Sequence, residues 1–257
     1  MHEGTHRGLP QTLAQARRLL DALLAEDCLL CGAGSGNAPL CPACSAELPL
    51  LPAACCPQCA LPTPAGERCG RCLAHPPHFD ATLALHPYAF PVDVLIHAFK
   101  YEHRLAPGAW FGRELACKAA QLEADLVVPL PLHAARLRER GFNQALELAK
   151  VVARARGWPL DASVCRRQRP TSIQATLPWR ERAHNMKNAF HCVRDLSGLK
   201  VVLVDDVMTT GASLDECART LKLHGAASVT ALVVARALPP TADPGASLPG
   251  DRGPVAG

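Results

Sequence analysis

Apolar residues recur along this chain with two periods, separated by a stretch that has neither. Across residues 11–26, Leu13, Ala16, Leu19, Leu20, Leu23 and Leu24 repeat close to the helical period, which predicts one amphipathic helix. From residue 28 to 77 the periodicity disappears and Pro, Gly and Cys dominate, so clamped loops with short strands are expected there instead of an apolar core. Periodicity returns with a short strand over 81–88 and helices over 92–100 and 107–122. Residues 126–130 read as an apolar strand, and 144–156 as a helix stopped by Gly157. A buried strand over 200–204, a helix over 212–224 ending at Gly225, and a strand over 228–234 follow. Strand and helix alternate, which predicts an α/β fold: a parallel sheet with helices on both faces and a ligand site at the carboxyl ends of the strands. Residues 238–257 hold five Pro and four Gly without period and are expected to be a disordered tail. The expected units are therefore a helix at 1–26, a Cys-rich unit at 27–78, an α/β domain at 79–237 and the tail.

Composition narrows the class. Of 257 residues 49% are hydrophobic and 19% charged, which suits a folded chain and excludes a disordered one. Aromatics are only 4%, so Leu, Ala and Val must build the core. No apolar run reaches the roughly 18 residues of a membrane span, and the start at Met1-His2-Glu3-Gly4 lacks a signal-peptide core, so a cytoplasmic location is expected. A net charge of +4 makes no case for nucleic acid by itself. Between Arg136 and Lys187, however, twelve Lys or Arg face four acids, a local +8 that could track the phosphates of single-stranded DNA.

Nine of the thirteen cysteines fall between Cys28 and Cys72, and eight of them form Cys-x-x-Cys pairs. Cys28, Cys31, Cys41 and Cys44 recur 28 positions later as Cys56, Cys59, Cys69 and Cys72, two copies of one spacing. Two such knuckles close a tetrahedral shell of four thiolates, so two structural zinc ions are expected. Iron–sulfur ligation would use the same thiolates, and a disulfide framework would need an oxidising compartment. Sequential pairing is the simpler assignment, with interleaved pairing the alternative. Cys55 stands outside the repeat, and Cys117, Cys165, Cys192 and Cys217 are expected to be buried spectators.

The chemistry concentrates after residue 200. Four apolar residues lead to Asp205 and Asp206, then Val207-Met208-Thr209-Thr210-Gly211-Ala212-Ser213 opens a helix. Free amides at a helix start, with hydroxyls beside them, cradle a phosphate, and Gly211 permits close approach. Two carboxylates would repel that phosphate unless they face ribose hydroxyls or a cation, so a ribose 5-phosphate is the implied ligand. The alternative is an ordinary capped helix with the acids as turn residues. The cluster Gly32-Ala33-Gly34-Ser35-Gly36 follows no buried strand and is read as a linker.

The order of four apolar residues, Asp-Asp, x-x-Thr-Thr-Gly-x-Ser resembles the phosphoribosyl pyrophosphate (PRPP) loop of type I phosphoribosyltransferases. Further pieces narrow the resemblance to the ComF family, which joins a double zinc ribbon to a type I phosphoribosyltransferase-like domain. They are Phe99-Lys100-Tyr101, Val128-Pro129-Leu130-Pro131-Leu132-His133, the run Arg136 to Gln144, Arg169-x-Thr171-x-x-Gln174, Glu181-Arg182-x-x-Asn185 and Asn188-Ala189-Phe190. The resemblance implies PRPP as ligand, magnesium bound with it, and a relation to competence and DNA-uptake proteins. By that likeness Asp205 and Asp206 meet the ribose hydroxyls or the metal, Thr209, Thr210, Gly211, Ala212 and Ser213 hold the 5-phosphate, and Pro129 and Leu130 belong to the pyrophosphate loop. Arg138 and Arg140, with Asn143 and Gln144 behind them, would serve catalysis, and residues 166–187, with Gln174, Arg182 and Asn185, a lid. Lys100 reads equally as a surface lysine. Two functions follow: Mg-dependent phosphoribosyl transfer to an unnamed acceptor, or a non-catalytic protein that senses PRPP or binds single-stranded DNA or a partner.

Overall fold

The structure is a computed structural model that describes residues 26–102, 104–168 and 188–239. The expected helix at 11–26 and the tail lie outside these residues, except at their inner ends. Glu26 is not helical: β1 (Glu26–Asp27) pairs antiparallel with β2 (Gly34–Gly36), so the glycine cluster read as a linker supplies a strand. In each cysteine repeat the third ligand caps a five-residue helix, Cys41 before α1 (Pro42–Ala46) and Cys69 before α2 (Gly70–Ala74). The internal repeat of the sequence is thus a repeat of structure.

The α/β domain then runs β3 (Ala81–Pro87), α3 (Val92–Tyr101), α4 (Leu105–Lys118), β4 (Leu126–Pro129), α5 (Ala134–Arg140) and α6 (Gln144–Arg156). It continues through β5 (Cys165–Arg167), β6 (Phe190–Cys192), β7 (Lys200–Met208), α7 (Ala212–Leu223) and β8 (Ser228–Arg236). The main sheet has the order β3-β8-β7-β4 with every pair parallel, while β5 and β6 form a separate antiparallel hairpin. Alternation along the strands divides the core. Val201, Leu203, Val229 and Val233 pack under Leu214, Cys217 and Leu221 of α7. Val202, Val204, Leu232 and Val234 face Leu95, Phe111 and Leu148 of α3, α4 and α6. A slip of one residue would exchange these faces, so the pattern fixes the register.

The segment expected to end at Val204 extends to Met208, because β8 keeps pairing with it through Asp205↔Val233, Val207↔Ala235 and Met208↔Arg236. On its other side β4 stops at Pro129, opposite Val204. Asp205 and its successors therefore lack a neighbour on one flank, and a crevice opens there at the carboxyl edge of the sheet.

The cysteine unit grips the free edge of β3. The Leu51 and Thr82 amides donate across this seam to the Leu85 and Pro57 carbonyls, and Thr82 Oγ1 donates to Gln58 O at 2.7 Å. Cys28 and Cys41, with Leu40 and Leu48, join the core on the α3/α4/α6 face, whereas Cys56, Cys59 and Cys72 join the α7 face. The two ribbons straddle the sheet and cover an edge that would otherwise be open to pairing. Of the four cysteines expected to be buried, Cys165, Cys192 and Cys217 are, but Cys117 is exposed, on the outer side of α4.

Candidate functional site

The floor of the crevice is the end of β7. Asp205 and Asp206 line a cleft of ≈ 310 Å³ together with Lys100, Tyr101, Arg136 and Arg140. Asp205 Oδ1 accepts from the Asp206 amide at 2.9 Å, and Lys100 Nζ lies 3.0 Å from Asp206 Oδ1. Burial pushes the Asp205 carboxyl up to about 8, the adjacent Asp206 carboxylate adds to the rise, and Lys100 and Arg140 oppose it. Lys100 is thus the half-buried counter-ion of the acidic pair, delivered by the last turn of α3, and not a surface lysine.

Immediately beyond, a small hollow of ≈ 50 Å³ is lined by Thr209, Thr210, Gly211, Ala212 and Ser213 with the end of β7. Gly211 caps α7 in the left-handed region at φ 81°. An L side chain there would carry backbone strain of about 1–2 kcal/mol. Thr210 Oγ1 accepts from the Ala212 amide at 3.3 Å and holds the turn. The hollow has the size and the helix-start setting for one phosphate group.

The opposite wall is basic. Arg136 and Arg140 sit one turn apart on α5 and both reach the cleft, while Arg138, two residues from each, is exposed and does not. Arg140 donates to Gln144 Oε1 at 3.1 Å and to the Tyr101 hydroxyl at 3.2 Å. Its Nε and Gln144 Nε2 are buried with no hydrogen-bond partner among the described residues, a debt that a ligand acceptor would discharge. Asn143 is committed to structure: Oδ1 caps α6 and Nδ2 donates to Leu130 O at 3.2 Å. Arg167 of β5 completes this wall; burial and nearby Arg136 push its ionisation down, with Asp205 opposing.

The segment 128–132 is placed at the cleft mouth but offers few donors. The Leu130 amide is spent on Val204 O at 2.8 Å, and Pro129 and Pro131 have none. Leu130 lines the cleft and Pro129 stays in the sheet. Gln174, Arg182 and Asn185 lie outside the described residues. Arg167 belongs to the segment expected as a lid, and β5 sets it in the cleft wall, whereas Arg136 and Tyr101 were not expected as cleft residues; for Arg136 the signal was present, since four residues from Arg140 is one helical turn.

The cysteines form two compact groups. The sulfurs of Cys28, Cys31, Cys41 and Cys44 lie within 4.8 Å of one another, as do those of Cys56, Cys59, Cys69 and Cys72. Sequential pairing is what the fold brings together. Contacts of 3.7 Å between Cys31 and Cys41 and 3.5 Å between Cys59 and Cys69 match thiolates around one tetrahedral ion. The two clusters are consistent with a zinc ion in each.

Comparison with known proteins agrees with this architecture. The double zinc ribbon domain family matches residues 19–73 and the phosphoribosyl transferase domain family residues 143–247. The DNA utilization protein YhgH of Salmonella typhimurium is 36% identical over 191 residues, 71% of this chain and 84% of that protein. Competence protein F of Haemophilus influenzae is 30% identical over 185 residues, 66% of this chain and 79% of its own length. Competence protein ComFC of Bacillus subtilis is 36% identical over 112 residues, 43% of this chain and 44% of its own. With relatives of this identity across most of its length, and both the ribbon and the phosphoribosyl transferase models matched in that order, this chain belongs to the ComF family.

Proposed function

We propose that this protein binds PRPP with magnesium at the carboxyl edge of the sheet and transfers its phosphoribosyl group to an acceptor nucleophile. One observation carries the reading: a phosphate-sized hollow adjoins a cleft that holds two carboxylates and a basic wall, with Asp205, Thr209 and Ser213 lining both, so that phosphate, diol and pyrophosphate of that ligand each meet suitable groups. The loop amides and hydroxyls take the 5-phosphate. Asp205 and Asp206 take the ribose hydroxyls. Arg136 and Arg140 take the pyrophosphate, which must leave with its electrons as the sugar becomes cationic.

The donor set also fits a hard cation, since one or two carboxylates with ligand phosphates are what magnesium uses. Magnesium would add charge neutralisation on the leaving group. Lys100 holds Asp206 in position at 3.0 Å. The test is pyrophosphate release from PRPP across a panel of nucleobases, ammonia and water. Release with one acceptor supports transfer; binding without release under every acceptor leaves a PRPP sensor.

A second reading rests on the rim. Phe90 is 76% exposed and Tyr88 and Tyr101 are exposed beside the basic wall, an arrangement on which the bases of single-stranded DNA can stack. It accords with relatives named for DNA utilization and competence. An oligonucleotide affinity that falls steeply with salt and survives loss of Asp205 and Asp206 favours it. No helix among the described residues is long and apolar enough to cross a membrane, and we place the protein in the cytoplasm.

A further inference from the structure

Arg236 ends β8 with a guanidinium that is almost wholly buried, at 1% exposure. It has no carboxylate partner among the described residues. Its Nε donates to the Cys59 carbonyl at 2.8 Å, inside the first knuckle of the second ribbon. Its Nη1 donates to Met208 O at 2.9 Å, to Ala237 O at 2.7 Å and to Thr209 O, the entrance of the phosphate-binding loop. One planar group therefore fastens a metal knuckle to the loop 150 residues later in sequence. A second contact runs parallel to it. Gln58, between the knuckle cysteines, donates to the carbonyls of Pro77 and Phe79 at 3.3 Å, and the Phe79 ring lies under Gly211, 3.7 Å from where a Cβ would stand. The first ribbon makes no such connection to the loop among the described residues.

Charge gives this clip its dependence on metal. A buried guanidinium needs a counter-charge, and four thiolates around a divalent zinc carry a net charge of about −2. The second cluster is the group placed to supply it, because Arg236 bonds to the main chain of one of its ligands. We propose that Arg236 is a positioning residue through which the second zinc knuckle holds the phosphate-binding loop, so that metal in the Cys56/Cys59/Cys69/Cys72 cluster and PRPP in the cleft strengthen each other's binding. The inference rests on the reading of the cleft as a PRPP site. By linkage the coupling is reciprocal: whatever factor the ion adds to PRPP affinity, PRPP adds to affinity for that ion.

The test is an equilibrium competition of the zinc-loaded full-length chain against a fluorescent zinc chelator, with and without PRPP and magnesium, alongside calorimetry of PRPP binding. PRPP should tighten one ion by about fivefold or more, the low end of ordinary coupling, and leave the other unchanged. Cys31→Ser, which weakens the first cluster, identifies the responding ion as the second. Arg236→Lys keeps the charge but loses the planar fork that spans the knuckle and the loop; both ions should still bind while the PRPP effect on zinc disappears. PRPP that binds yet tightens neither ion, tightens both alike, or keeps its effect in Arg236→Lys overturns the inference while sparing the assigned ligand. Calorimetry that finds no PRPP binding to the wild type overturns the assigned ligand itself and the coupling with it.

Discussion

At the residue scale the site turns on Asp205, whose carboxyl is held up to about 8 by burial and by Asp206. The unfolded chain releases that proton near pH 4, about the ordinary aspartate value, and the folded chain keeps it. Folding stability from this group is therefore complete at low pH and drains away as pH rises toward about 8. Asp205→Asn should match the wild-type Tm near pH 4 and exceed it at pH 8.5, by a margin that widens as pH rises between those values. Thermal melts that run parallel for both proteins across that range would contradict the burial argument. The arginines separate by geometry. Arg136→Ala and Arg140→Ala should each weaken PRPP about tenfold, the cost of one charge-assisted hydrogen bond, whereas Arg138→Ala should change it less than about twofold. Titration calorimetry at fixed salt checks all three. The acids and the loop were legible in sequence because they are contiguous. Lys100 was not, since its partner Asp206 is far along the chain and only the packing of α3 on the sheet joins them. Arg138 was named with Arg140 because the resemblance covers the whole run Arg136 to Gln144, and a run of residues does not register that two helical steps turn a side chain about 200°.

At the scale of elements, α6 runs over the residues the sequence assigns to it, for local reasons: Asn143 caps its start and Gly157 ends it in the left-handed region at φ 69°. Strand ends carry no such marks. The polar pair Asp205-Asp206 suggested that β7 had ended, yet pairing with β8 carries it to Met208, and only the early stop of β4 exposes the acids. The turn from β7 into α7 depends on Gly211. Gly211→Ala should lower stability by about 1–2 kcal/mol from the left-handed backbone alone, and it should reduce PRPP affinity further because the loop can relieve that strain only by opening. Chemical unfolding with and without ligand measures both. An unchanged affinity in a destabilised variant would show that the amides of this turn do not hold the phosphate.

At the scale of the molecule, the ribbons are more than an appendage, because they cap the edge strand β3 and reach both faces of the core. The cysteine spacing announced two metal clusters, and the fold pairs them sequentially as the repeat suggested. Where they dock was not legible, since the contacts are mostly between backbone groups and apolar side chains that carry no distinctive pattern. Stripping the metal should release the ribbons, whose folding depends on it, and expose β3; light scattering should then show concentration-dependent association. A metal-free chain that stays monomeric with an unchanged melting profile would contradict the capping role. If the carboxyl edge of the sheet is a PRPP site centred on the acidic pair, calorimetric titration of PRPP with magnesium should show binding by the wild type and a loss of about tenfold or more in an Asp205→Asn/Asp206→Asn double variant that remains folded; equal affinities, or no binding by the wild type, would place the ligand elsewhere.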